Sequence, residues 1–241
     1  MSKCFVRSLS LVASLSMVVS AAALGASGYH LIKTIRIGGD GSWDHVTLDS
    51  AARRLYIARA THVLVFDVGQ NKLIGEIPDT PGVHGVALAP EFNRGFTSNG
   101  HADTVTIFDL KTLKTLSHVK TGTDPDGIAY DPVSGRVFTL NGDSSDLTAI
   151  DASRGVALQT VALGGSPEAE IADGAGKLFV TLFDKNQLVT FDTRKLAVTS
   201  RWELPSCNEP SPLAMDQRNR RLFIGCRNQR MQLSMRIMAV F

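Results

Sequence analysis

The chain has 241 residues, 44% of them apolar and 20% charged, a balance that supplies a buried core and excludes a disordered polyelectrolyte. Its 25 Lys and Arg against 23 Asp and Glu give no support to a broad nucleic-acid or anionic-membrane footprint. A length of this order holds one large domain or two small ones.

Residues 1–26 stand apart from the rest. Lys3 and Arg7 give a positive start, residues 9–19 an apolar segment, and Ala21-Ala22-Ala23 a small-residue cleavage site. The apolar run is too short to span a bilayer and no second one follows, so no membrane span is expected. Residues 1–23 are read as a signal peptide, cleaved after Ala23 or Ala26, which implies a periplasmic or secreted protein if the source is bacterial. Cys4 precedes the apolar segment and leaves with it, as do Lys3 and Arg7, so the remaining acidic and basic residues balance.

Residues 31–37 (LIKTIRI) read as a lone strand before a Gly-rich loop at 38–41. Then a sentence starts that recurs. VTLDSAARRLYIARATHVLVFDV begins at Val46, VALAPEFNRGFTSNGHADTVTIFDL at Val86, GIAYDPVSGRVFTLNGDSSDLTAIDA at Gly127 and EIADGAGKLFVTLFDKNQLVTFDT at Glu170. Each unit is a set of short alternating apolar runs separated by turn residues, and each closes on an Asp: Asp67, Asp109, Asp151 and Asp192, spaced by 42, 42 and 41. A β-only repeat of about 40 residues with four strand-length runs is the mark of a propeller blade. In the first unit the strands fall at 46–48, 54–58, 62–67 and 72–77, named A to D from the central channel outward. A fifth unit, PLAMDQRNRRLFIGC from Pro212, supplies strands A and B only. The repeat domain therefore covers 31–226, and 227–241 (RNQRMQLSMRIMAVF) reads as an atypical, frame-shifted or truncated tail.

The segments DTPGVHGVALAP, RGFTSNG and ATHVLVFDV resemble the YVTN-type, YncE-like β-propeller repeat family of exported bacterial proteins. The resemblance runs from about residue 31 to residue 226 and is specific for architecture, not for activity. It implies a ring of seven blades. Residues 31–37 resemble the last strand of each unit and are expected to complete the final blade, as an N-terminal strand often does in a closed propeller. The fold expected here is an all-β propeller of four-stranded antiparallel blades, incomplete, with about four and a half of those seven. A stopped ring exposes both ends of the fan, so reduced stability and self-association through the exposed blade edges are expected.

Strand direction puts the D-to-A and B-to-C loops on one face, around the channel mouth. Aligning the units places Asp44, His84, Asp126, Glu168 and Ser211 at one equivalent position just before strand A, with Glu209 two residues before Ser211. His45 adjoins Asp44, and Asn99, His101 and Asn141 come from B-to-C loops of the same face. Such a set could bind a small cationic or sugar ligand, or a hard cation; Asp44, Asp126 and Glu168 are the metal candidates and Ca²⁺ the ion they suit. Equally, Asp and Glu before a strand accept backbone N–H bonds, and His45 and His84 pack. The closing Asp residues lie on the opposite face and read as Asx-type turns. Cys207 and Cys226 map to one face and can form a disulfide in an oxidising compartment, or remain two buried thiols.

No G-x-S-x-G, H-E-x-x-H, P-loop or dinucleotide fingerprint occurs, no catalytic residue stands out, and no cofactor beyond Ca²⁺ is expected. Three functions compete. The first is a binding or scaffold protein presenting channel-mouth loops to a small ligand or a protein partner. The second is a propeller enzyme, a metal-dependent lactonase-type hydrolase or a quinone-dependent dehydrogenase. The third, single-stranded DNA binding, comes only from the family resemblance and lacks a basic, aromatic-lined groove.

Overall fold

The computed structural model describes residues 29–38 and 41–234. Residues 1–23, expected to be a signal peptide, and the end of the tail, 235–241, lie outside the described residues.

From Val46 the chain folds into five separate antiparallel sheets, each a meander of consecutive strands. The first is β1 (Val46–Asp49), β2 (Arg54–Arg59), β3 (His62–Asp67) and β4 (Lys72–Ile77). The second is β5 (Val83–Ala89), β6 (Arg94–Asn99), β7 (Thr104–Asp109) and β8 (Thr115–Lys120); the third is β9 (Pro125–Asp131), β10 (Arg136–Asn141), β11 (Asp146–Asp151) and β12 (Val156–Ala162). The fourth is β13 (Pro167–Ala172), β14 (Lys177–Leu182), β15 (Gln187–Asp192) and β16 (Ala197–Glu203); the fifth is β17 (Pro210–Asp216), β18 (Arg221–Cys226) and β19 (Arg230–Ser234). This is a β-propeller of four-stranded blades, incomplete at five, the fifth having three strands. Among the described residues there is no α-helix, only two three-residue 3₁₀ turns at Pro90–Phe92 and Gly100–Ala102. None of the described helices is long and apolar enough to cross a membrane.

Strand alternation drives the assembly. Each sheet turns one apolar face to the next sheet, so the core is a series of sandwiches between blades. Tyr56, Ala58, Val63 and Val65 of the first blade meet Val83, Val86 and Phe108 of the second. Phe96, Val105 and Ile107 meet Ile128, Val137 and Ile150; Phe138, Leu140 and Leu147 meet Leu178, Val180 and Phe191; Phe179 and Leu188 meet Leu222 and Ile224. The inner strands β1, β5, β9, β13 and β17 touch in succession and line the axis.

Polar side chains lock neighbouring blades at the rim. The Arg that opens strand B reaches forward to a carbonyl just after the next blade's closing Asp. Arg94 Nη1 donates to Ala152 O at 3.0 Å, Arg136 Nη1 donates to Thr193 O at 2.6 Å and Arg194 O at 2.8 Å, and Arg54 donates to Leu110 O. The closing Asp residues themselves accept backbone N–H groups two and three residues on: Asp67 from Gly69 and Gln70, Asp109 from Lys111 and Thr112. Asp151 and Asp192 repeat this with Ser153 and Arg154, and with Arg194 and Lys195, the turn role expected of them.

Two expectations change. Residues 31–37 form no strand and all but Ile37 are exposed. Alternation alone does not make a strand; a neighbour's ladder is needed, and none pairs with it among the described residues. Conversely, the fifth blade gains the third strand that its lack of an apolar-Asp ending argued against: β19 pairs with β18 from Cys226↔Arg230 to Leu222↔Ser234. A free edge on β18 was enough to recruit it.

Candidate functional site

Inner strands begin earlier than their apolar alternation suggests. β5, β9, β13 and β17 each start at Val or Pro, two or three residues before the apolar run. Each then slips register against strand B, between Val83 and Val86, Pro125 and Ile128, Pro167 and Ala169, and Pro210 and Leu213, so that the inner strand carries one surplus residue. These are β-bulges, which bend the strand and re-aim the side chains they hold. His84, Asp126, Glu168 and Ser211 lie in these bulges, inside the strands and not ahead of them as expected. Asp44 precedes β1, tied by its N–H to Ala58 O at 3.2 Å.

The bulges bring three blades together. His84 Nδ1 lies 2.7 Å from Asp44 Oδ2, to which it donates, and 3.4 Å from Asp126 Oδ1. His45 borders the group, its Nε2 3.6 Å from Asp44 Oδ1 and its backbone N–H on His84 O. Glu168 is engaged elsewhere: Ser211 Oγ donates to its Oε1 at 2.8 Å. Burial lifts the Asp126 carboxyl above its ordinary range; the His84 and His45 imidazoles pull against this, while Asp44 and Glu168 add to it.

Other expected residues do not join them. Asn141 is buried, its Oδ1 accepting from Thr139 Oγ1 and its Nδ2 donating to Asp146 Oδ1 and Thr148 Oγ1, a clip between strands B and C. Asn99 repeats that clip with Thr97, Thr104 and Thr106. His101 is exposed and covers Gly82. Glu209 faces Arg227 at 3.3 Å, in the loop beside Cys207. Cys207 and Cys226 are joined as a disulfide across 19 residues of sequence, tying that loop to the end of β18.

One residue of the site escaped the sequence reading. Glu170 stands at the β13 position where the other inner strands carry Val46, Val86 and Ile128. Its carboxyl group lies over Gly127, where an added Cβ would overlap Oε2 and push the carboxyl group aside. Burial pushes the Glu170 carboxyl up to about 8, the charge of Asp126 pushes the same way, and the Ile128 backbone N–H partly offsets them. Some of the side chain still touches water, yet protein surrounds its carboxyl group. An acid breaking an apolar register was the signal that could have found it.

No family model matches the chain, and no curated protein matches it. Among solved structures it is similar to the Kuenenia stuttgartiensis hydrazine synthase, with a TM-score of 0.64 and 15% sequence identity over 83% of this chain and 80% of that one. That likeness shows the fold alone. A fold does not by itself fix an activity, so function rests on the side chains just described.

Proposed function

We propose that the chain is an exported β-propeller of the YVTN type that works as a binding protein, holding a small cationic ligand at its channel mouth. The repeat spacing and the segments at 60–68, 79–90 and 94–100 support the family, and the composition of residues 1–26 supports export. The observation that carries the binding reading is the convergence of Asp44, His84 and Asp126 from three successive blades. Two carboxylates brought to one imidazole, with the protonated Glu170 acid beside Asp126 adding no charge, make a site suited to a cation and poorly suited to an anion.

Calorimetric titration of the full chain with MnCl₂, CaCl₂ and spermidine tests this. At least one probe should bind, and D44N and D126N should weaken it at least about tenfold, the loss of about 1.4 kcal/mol. Heats of dilution alone for all three probes would overturn the reading.

Glu170 favours a second reading, a hydrolase. A carboxyl group that keeps its proton to about pH 8 beside the Asp126 carboxylate is the pairing that general acid and base catalysis uses. Hydrolysis of a lactone or ester panel that E170Q abolishes would establish it; no turnover by the native chain leaves the binding protein.

A further inference from the structure

We infer that Asp44, His84 and Asp126 hold one divalent transition-metal ion of the Zn²⁺ or Mn²⁺ class, with coordination positions open toward the channel mouth. This deepens the binding reading above and rests on it.

The donor atoms of the three residues all lie within 4.8 Å of one another. Metal–nitrogen and metal–oxygen bonds of about 2.0–2.2 Å place ligand atoms roughly 3–4 Å apart around an ion. The observed 2.7 Å and 3.4 Å separations from His84 Nδ1 bracket the lower part of that range, so small side-chain shifts admit an ion. Two carboxylates and a neutral imidazole balance a 2+ charge. The imidazole sets the class, because Ca²⁺ takes oxygen donors while Zn²⁺ and Mn²⁺ accept nitrogen with oxygen. Glu168, which the sequence offered in its place, is held by Ser211.

A second observation concerns the other side of the ring. If Nδ1 binds the ion, Nε2 keeps the proton and needs an acceptor. Nε2 and Asp124 Oδ1 both flank Gly100, where an added Cβ would stand 2.8 Å from the first and 2.5 Å from the second. Asp124 is itself fixed, its N–H donating to Asp103 Oδ1 at 2.9 Å. Among the described residues no hydrogen bond joins Asp124 to Nε2. Asp124 would become the positioning residue only once the ring or the carboxylate turns to meet the other as Nδ1 takes the ion, the arrangement usual behind a ligating imidazole. Glycine at position 100 leaves room for both groups there.

The full chain, untagged and stripped with chelator, is titrated with ZnCl₂, MnCl₂, CaCl₂ and spermidine, and CoCl₂ is followed by visible absorption. One Zn²⁺ or Mn²⁺ per chain is expected, with H84N and D126N at least about 100-fold weaker and D124N about tenfold weaker with an altered cobalt spectrum. E209Q should bind as the native chain does. Retained binding in H84N and D126N, or Ca²⁺ binding as tightly as the transition metals, would overturn the inference. Spermidine binding without metal binding would overturn it while leaving the cationic-ligand reading, and silence from every probe would remove both. D126N preserves side-chain shape, so it serves if H84N fails to fold.

Discussion

Replacing Glu170 by Gln should make the protein less sensitive to alkali. In the folded chain this carboxyl keeps its proton to about pH 8, whereas in the unfolded chain it releases it near 4.5. The native state is therefore fully supported by this group below about pH 4.5 and loses that support as pH rises through 8. Within that window linkage changes stability by about 1.4 kcal/mol per pH unit. Between pH 5.5 and 7.5 this approaches about 3 kcal/mol, and the water that still reaches the side chain reduces it to about 2 kcal/mol. Gln has the shape of the protonated acid and carries no charge, so its oxygen still accepts the Ile128 N–H. Urea unfolding of both proteins from pH 5 to 9, with chelator present, gives two stability curves. E170Q should draw ahead of the native chain steadily up to about pH 8 and keep a constant lead beyond. Parallel curves would refute the placement of this carboxyl in a water-poor site beside Asp126.

Arg136→Ala removes the guanidinium that joins Thr193 O and Arg194 O across two blades. A loss of about 1–2 kcal/mol is expected, with faster hydrogen exchange concentrated in the β15–β16 turn and little change in the first blade. Breaking the Cys207–Cys226 bridge by C207A/C226A should cost about 3 kcal/mol and lower the melting temperature by roughly 6–12 °C, read by calorimetry. The two ends of the fan should associate. Thr47 Oγ1 donates to Val86 O, so Val46 and Leu48, 51% and 54% exposed, face away from the second blade. On the far face of the fifth sheet Met231 and Leu233 are 72% and 44% exposed. Light scattering should report concentration-dependent oligomers that L48K with M231K abolishes; a monomer at every concentration would contradict this.

The blades were legible because their alternation is strict and their turns are written in Asp, Asn and Gly. β3 and β4 fall on the residues expected, His62–Asp67 and Lys72–Ile77. The inner strands were read short because their first residues are Gly and polar, as in His84-Gly85 and Asp126-Gly127, and a bulge interrupts the period of two that alternation depends on. The equivalence of Asp44, His84 and Asp126 was visible in the repeat. Which of the five positions converge was not, since that depends on side-chain reach: Ser211 is short and satisfies Glu168, while His84 spans two blades. Residues 31–37 carried a sound strand pattern, but pairing is a property of the neighbour and cannot be read from the segment itself.

The surplus residue in each inner strand has an evolutionary corollary. A bulged position owes no partner across the sheet, so substituting it disturbs neither backbone pairing nor the apolar sandwich behind it. Asp126, Glu168 and Ser211 already sample a carboxylate, a longer carboxylate and a hydroxyl there on nearly the same backbone. Such a fold can exchange the side chains at these positions one blade at a time while its architecture stays put.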